Sequence, residues 1–378
     1  MTSSAFSRLD DLNRRIHAID HAISILGADE ATHMAPGGGE DRAVSLATLS
    51  GMRHRMATAP EVADWIGEAE TEALSEEQAA ALGEFRRVHL NMTCLPAEFV
   101  ERQTHARLRC EQLWRDMRAR NDWAGFAPAL EGVVALVREE AALRAEALGL
   151  APYDALMEQY DPGARVAEIA PLLDDLGTFL TGFVPQALAA QERRLAGRPP
   201  VSLTGSYPIE KQRDLALSMM AALGFDLTHG SLSVSHHPFC GGVPSDVRIT
   251  TRYRTDEFLS ALMGVLHETG HALYEQNLPR EWAHWPLGQA RGMAIHESQS
   301  LFVEKQIGRN PAFWRWALPM VERHLGESLS LDDVLPHVHH VGRGLIRVDA
   351  DEVTYPLHIV LRFELERALV EGTLEVAD

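Results

Sequence analysis

Apolar residues spaced three and four apart recur almost unbroken along the first 229 residues, and this periodicity is the strongest constraint on the fold. Leu9, Leu12, Ile16, Ile19, Ile23 and Leu26 trace one stripe of an amphipathic helix that Gly27 can close. A Met34-Ala-Pro-Gly-Gly-Gly39 loop interrupts the pattern, which resumes over about 45–57, 60–72, 75–91, 96–120, 127–149 and 165–196. These stretches are rich in Leu, Ala, Glu and Arg and poor in β-branched runs, so their stripes predict helices packed on one another.

The texture changes near residue 230. Ser231-Leu-Ser-Val-Ser235 and a His236-His-Pro-Phe-Cys-Gly-Gly242 turn lead to Val247, Ile249, Thr251 and Tyr253, which alternate with Arg248, Thr250 and Arg252. Period-two patterning of this kind predicts a small antiparallel sheet. Helix returns over about 255–277, with Leu259, Leu262, Met263, Leu266 and Leu273 on the buried side. No repeat or flexible linker divides the chain, so the expectation is one mainly α domain over 1–378. It comprises a helical half (1–229), a small sheet (230–254) and a second helical half (255–378).

Charge narrows the partners. Lys and Arg number 35 against 54 Asp and Glu, a formal charge of -19 that repels phosphate backbones and anionic lipid. Nucleic acid and membrane are therefore excluded as partners, and peptides or small molecules remain. The opening MTSSAFSRLDDLNRRIHAIDH has no apolar core for a signal peptide, and no apolar run approaches the roughly 18 residues of a spanning helix, which places the protein in the cytoplasm. Cys94, Cys110 and Cys240 are too few and too scattered for a disulfide framework and read as small apolar residues.

Eighteen histidines are a rich allotment, and two of them fall four apart in His267-Glu268-Thr269-Gly270-His271. Residues four apart share a helix face, so both imidazoles can address one ion while Glu268 reaches a water beside it. The plain alternative is a helix with two partly buried histidines. A catalytic zinc of this type needs a third protein ligand and one open position. Glu297, 26 residues beyond His271, is the best candidate, with His296 its competitor; adjacent helical positions diverge by about 100°, so one of the two binds. Asn277 stands where a third histidine would follow in one zinc class, and Leu301 where another places an acid. Zinc would acidify water and polarise a carbonyl, with Glu268 moving the proton to a leaving amine, so the bond cut is an amide. Removal of C-terminal residues would further need a cation for the terminal carboxylate, for which Arg248, Arg343 and Arg347 are candidates.

These segments resemble the carboxypeptidase Taq family of metallocarboxypeptidases. The likeness rests on His237-Pro-Phe239, Asp246-Val-Arg-Ile-Thr250, His267-Glu-Thr-Gly-His271, His296-Glu-Ser-Gln299 and Ile346-Arg-Val-Asp-Ala-Asp-Glu352, which runs on into Val353-Thr-Tyr-Pro-Leu-His358. The Met34-Ala-Pro-Gly-Gly loop and Tyr153-Asp-Ala-Leu-Met-Glu-Gln-Tyr-Asp-Pro-Gly163 extend it over the first half. The resemblance implies a largely helical fold like that of neurolysin and angiotensin-converting enzyme, with a deep groove, a small sheet on one wall and zinc at the floor. It implies His267, His271 and Glu297 as ligands, Glu268 as general base and acid, and stepwise release of C-terminal residues from peptides with broad side-chain tolerance. It also implies a homodimer, acceptance of cobalt in place of zinc, Arg347 as carboxylate anchor, and His237 and Arg248 as groove-wall residues able to contact substrate. Asp351 and Glu352, from their place in the last motif, are candidates to orient the metal-binding histidines.

Two departures from the family stand out. Ala28-Asp29-Glu30 replaces a typical Trp-Asp-Gln, and the chain stops at Asp378, before a tyrosine-bearing segment that resembles an oxyanion donor. Loss of one such donor commonly costs about 10²–10³ in rate, so the competing expectation is a metal-binding remnant of weak or no activity.

Overall fold

The computed structural model describes residues 3–196, 199–347 and 350–378. The described helices are α1 (Ala5–Thr32), α2 (Gly39–Ala57), α3 (Pro60–Ala69), α4 (Glu76–Thr93), α5 (Ala97–Ala119), α6 (Trp123–Leu148), α7 (Pro152–Met157), α8 (Val166–Leu195), α9 (Ile209–Ala222), α10 (Leu259–Gln276), α11 (Met293–Leu301), α12 (Pro311–Leu325), α13 (Leu331–Val338) and α14 (Tyr355–Glu371). The one sheet among the described residues comprises β1 (Gly230–Val234), β2 (Phe239–Val243) and β3 (Asp246–Thr251).

The chain forms two compact units, each built from separate stretches: Met1–Phe85 with Ala190–His340, and Arg86–Ala189 with Val341–Asp378. The boundary read from sequence at residue 229 falls inside the first unit, because the change from helix to strand there is a change of local texture and not of packing partner.

In the first unit, α1 runs on through Gly27 to Thr32 instead of stopping at the glycine. Arg42 of α2 explains the continuation: its guanidinium binds the Leu26 carbonyl at 2.6 Å and the Asp29 carboxylate at 2.6 Å, tying the second half of α1 to its neighbour. Ala28, where the family carries a large aromatic, is buried in this stretch.

The sheet has the order β1-β3-β2. β2 and β3 form the expected antiparallel hairpin, with Gly241 opposite Arg248, but β1 pairs with β3 in parallel, Leu232 opposite Ile249. The sheet is therefore mixed rather than antiparallel throughout. Its hairpin turn admits only glycine at position 242, where φ is +83° and a Cβ would lie 2.2 Å from the Asp246 carbonyl oxygen. β3 lies between the other two strands, antiparallel to β2 and parallel to β1.

Helix α10 is buried along two faces. Leu262 and Leu266 enter a core with Met219 of α9, with Val303, with Trp314 and Val321 of α12, and with Val334 of α13. Val265 and Ala272 enter a second core with Ala216, Met220, Phe225 and the sheet residues Leu232, Val247 and Ile249. Its remaining face carries His267 and His271 toward α11.

In the second unit, α5 and α6 enclose Glu140 and Arg144, which pair at 2.9 Å with both side chains almost fully buried. Gln103 donates to the same carboxylate at 2.6 Å. Arg138 of α6 binds the Leu369 and Leu374 carbonyls at the end of α14.

Candidate metal centre

Glycine sets the distance between the two site helices. A Cβ on Gly270 would sit 2.3 Å from the Gln299 carbonyl oxygen and 2.6 Å from the Ser300 Cα, so α11 rests directly on the α10 backbone. This contact brings Glu297 opposite the two histidines. His271 Nε2 lies 3.2 Å and His267 Nε2 3.9 Å from Glu297 Oε2, and the three ligand atoms are all within 4.8 Å of one another. A tetrahedral ion with bonds of about 2.0–2.1 Å holds its ligands about 3.3 Å apart, so the set fits a small divalent metal with one position left open. Ser300 steadies Glu297, its hydroxyl reaching both the backbone oxygen and Oε2 of that residue.

Each histidine is held from behind. Nδ1 of His267 lies 2.9 Å from Glu304 Oε2; a carboxylate only accepts, so Nδ1 carries the proton and Nε2 turns its lone pair to the metal position. Glu304 reaches that place through a π-helical turn, Phe302–Ile307, that continues α11. Its other oxygen meets Lys305 Nζ at 2.7 Å, with Arg309 at 3.5 Å. Burial opposes ionisation of Glu304, but the His267 bond and Lys305 prevail and hold its carboxyl down at about 2. Behind His271 stand the His296 carbonyl, 3.1 Å from Nδ1, and the His296 ring, whose Nδ1 is 2.7 Å away.

Glu268 is buried and makes no hydrogen bond among the described residues. Burial pushes its carboxyl up, opposed by the neighbouring His267 and His271 and reinforced by Glu297 and Glu304. For Glu297, burial is outweighed by the His271 hydrogen bond and the charge of both histidines, which hold its carboxyl down. A depressed carboxylate facing two imidazole nitrogens suits metal ligation, and an unbonded, elevated one suits proton transfer.

The sequence over residues 8–378 matches the family described as Carboxypeptidase Taq (M32) metallopeptidase. Thermostable carboxypeptidase 1 of Thermus thermophilus is 37% identical over 99% of this chain and 76% of its own length. Carboxypeptidase 1 of Bacillus subtilis is 32% identical over 97% of this chain and 74% of its own. Among solved structures, Trypanosoma cruzi metallocarboxypeptidase 1 superimposes with a TM-score of 0.93 at 37% identity, covering 99% of this chain and 75% of that one. The chain belongs to this family. It is a metallocarboxypeptidase, mainly helical with a small sheet, as the motifs led one to expect.

The other sequence candidates of this metallocarboxypeptidase are distributed differently from expectation. The guanidinium of Arg248 is forked onto Asp246 at 2.6 Å through both Nε and Nη2, so this arginine clamps β3 and does not present an open fork to a peptide carboxylate. The imidazole of His237 is exposed and makes no hydrogen bond among the described residues; its carbonyl accepts from Ser235 Oγ, and the buried Thr250 Oγ1 accepts from the Phe239 amide at 3.0 Å. Asp246, Arg248 and Thr250 thus alternate along β3 as two structural fastenings. Arg343 is exposed, whereas Arg347 is braced on Tyr355, donating to its hydroxyl at 3.1 Å, with no carboxylate partner among the described residues. Of the Ile346–Glu352 segment, Val348 and Asp349 lie outside the described residues.

Asp351 is engaged within its own segment. Its carboxylate accepts from the amides of Gly342, Val353 and Thr354 and from the Thr354 hydroxyl, which uses its oxygens to close its own loop, and Glu352 is exposed. The groups hydrogen-bonded to the histidines are Glu304 and His296. Glu304 was visible in the sequence as the acid seven residues, or two helical turns, beyond Glu297.

Proposed function

We propose that this metallocarboxypeptidase is a zinc enzyme that removes residues one at a time from peptides with a free C-terminus, with broad tolerance of side chain. The observation that carries the reading is the convergence of His267 Nε2, His271 Nε2 and Glu297 Oε2 around one point, with the unbonded Glu268 beside it. His267, His271 and Glu297 are assigned as ligands, of zinc or of cobalt in its place. A bound ion would supply Lewis acidity toward the scissile carbonyl and would acidify a water. Glu268 would take a proton from the attacking water as the C–O bond forms and deliver it to the amine nitrogen as the C–N bond breaks. Arg347 is assigned to the peptide's terminal carboxylate, supported by the family likeness and by a guanidinium that no described carboxylate occupies. The same likeness supports a homodimer. A cytoplasmic location is part of the proposal; among the described residues no helix is long and apolar enough to cross a membrane.

The test is hydrolysis of matched peptides with free and amidated C-termini by the zinc-loaded chain, followed by mass. Stepwise loss of single residues from the free acids alone, stopped by a chelator, supports the reading. Equal cleavage of amidated peptides removes the carboxylate anchor, and no cleavage with zinc demonstrably bound removes the catalytic assignment. Glu268→Gln should bind zinc normally and lose turnover.

A further inference from the structure

The two metal-facing histidines are backed by different devices, and the one behind His271 involves a third histidine. His296 Nε2 lies 2.8 Å from Glu275 Oε1, and His296 Nδ1 lies 2.7 Å from His271 Nδ1. The carboxylate has only lone pairs to offer, so the His296 proton sits on Nε2 and its Nδ1 presents a lone pair. Two facing ring nitrogens share one proton, which must then belong to His271 Nδ1. In that tautomer the His271 lone pair is on Nε2, the atom 3.2 Å from Glu297 Oε2 that a metal would bind. With the His296 proton on Nδ1 instead, His271 would carry its own proton on Nε2, where the metal belongs. The His296 ring is fixed between neighbours, edge-on to Tyr274 with centroids 5.3 Å apart and tilted over His271 at 4.6 Å.

We propose that Glu275 and His296 are positioning residues that form a relay, Glu275–His296–His271, selecting the metal-binding tautomer of His271. His296, although next to Glu297 in sequence, acts behind the ligand set and not within it. The proposal rests on the assignment of His271 as a ligand and deepens it. It also makes the two histidines unequal: Glu304 reaches His267 directly, whereas Glu275, on the last turn of α10 itself, reaches His271 only through the ring of His296.

The His296 carbonyl, 3.1 Å from His271 Nδ1, is the competing acceptor, and it survives any substitution of the side chain. The decisive measurement is therefore the affinity of the apo chain for Zn²⁺ in competition with a chromophoric chelator, with the Co²⁺ absorption spectrum recorded in parallel. His296→Phe, which keeps a ring and removes both nitrogens, is expected to weaken zinc binding about 10–100-fold while leaving the cobalt band pattern of the wild-type ligand set. Glu275→Met is expected to weaken binding in the wild-type background and to have no effect when combined with His296→Phe, because Glu275 acts only through that ring. Unchanged affinity in both single variants would show that the carbonyl alone suffices and would overturn the relay. A cobalt spectrum showing a lost ligand in His296→Phe would make His296 a ligand and overturn it as well. Should His296→Phe fail to fold, the Glu275→Met affinity decides alone. His271→Ala separates the two levels of inference: if it fails to abolish zinc binding, the ligand assignment falls, whereas its success with silent relay variants removes the relay only.

Discussion

Replacing Gly270 by alanine adds one methyl group at the contact that sets the metal geometry. The new Cβ would lie 2.6 Å from the Ser300 Cα and 2.3 Å from the Gln299 carbonyl oxygen. Carbon atoms pack favourably at about 3.5–4.0 Å, so α11 must withdraw by about 1 Å. Both blocking atoms are backbone, and no rotamer change relieves them. Glu297 travels with α11, whereas metal–ligand bonds tolerate deviations of about 0.2 Å. Zinc affinity should fall by at least about 10–100-fold, the loss seen when mere supporting residues of metal sites are removed. Stability should change far less: overpacking costs about 1–3 kcal/mol, while alanine in a helix interior regains about 1 kcal/mol over glycine. The control is Gly264→Ala on the same helix, where the added Cβ meets only Pro238 Cγ and Thr251 Oγ1 at 3.9 Å. That variant should bind zinc as wild type and melt a few degrees higher in the apo form. Chelator competition and apo thermal melts of the three proteins settle the matter. If Gly270→Ala binds zinc normally and is stabilised like Gly264→Ala, the close approach of α11 does not set the site.

Three further outcomes follow from the same structure. Thr250→Val keeps the shape of a buried side chain but deprives the Phe239 amide of its acceptor, at a cost of about 1–3 kcal/mol; hydrogen exchange at Phe239 should accelerate, and unchanged protection would show that the His237–Phe239 turn is held by other means. Removing the buried charge in Glu140→Gln should cost about 3–5 kcal/mol at neutral pH by leaving Arg144 unpaired. Burial opposes ionisation of Glu140, but Gln103, Arg144 and Arg107 prevail and lower its folded pKa, so its stabilisation is present above the unfolded carboxylate range and is lost as pH falls through the folded value. The gap between wild type and Glu140→Gln in thermal melts should thus close in acid, and a gap constant with pH would refute the ion-pair account. Arg347→Ala should lower kcat/KM for free-acid peptides, and an unaltered value would return the carboxylate to another cation.

The legible parts of this protein are those in which local chemistry and tertiary role coincide. The His267–His271 spacing declares a shared helix face whatever surrounds it, and Val247 and Ile249 declare a buried strand face by alternation alone. Glu297 stands out in the sequence because a zinc site would demand a third ligand, which turns an ordinary acidic residue into a candidate, and the structure sets its carboxylate 3.2 Å from His271. What the sequence did not disclose is which of several available partners a side chain or strand takes. Nothing local marks Arg248 as engaged by Asp246, since an arginine two residues from an aspartate on a strand is equally suited to solvent. The parallel pairing of β1 is invisible to an alternation that is the same in either sense. Gly27 reads as a helix end until Arg42, fifteen residues away, is seen to secure the carbonyl of Leu26. Asp351 drew attention through its motif, yet its carboxylate is committed to three amides of its own loop.

Helix α10 is held along two sides by separate apolar cores, and its third side carries His267 and His271. It therefore works as an axle between two bearings. A change of volume at Trp314 in one core, or at Ile249 in the other, turns the same shaft and is read out at His267 and His271, although neither residue is near a reacting atom in sequence. Evolution of either core is thereby coupled to the other: a shift tolerated on one side must be matched across the helix, or the imidazoles lose their aim. The hydrocarbon interior is in this sense the alignment mechanism of the ion.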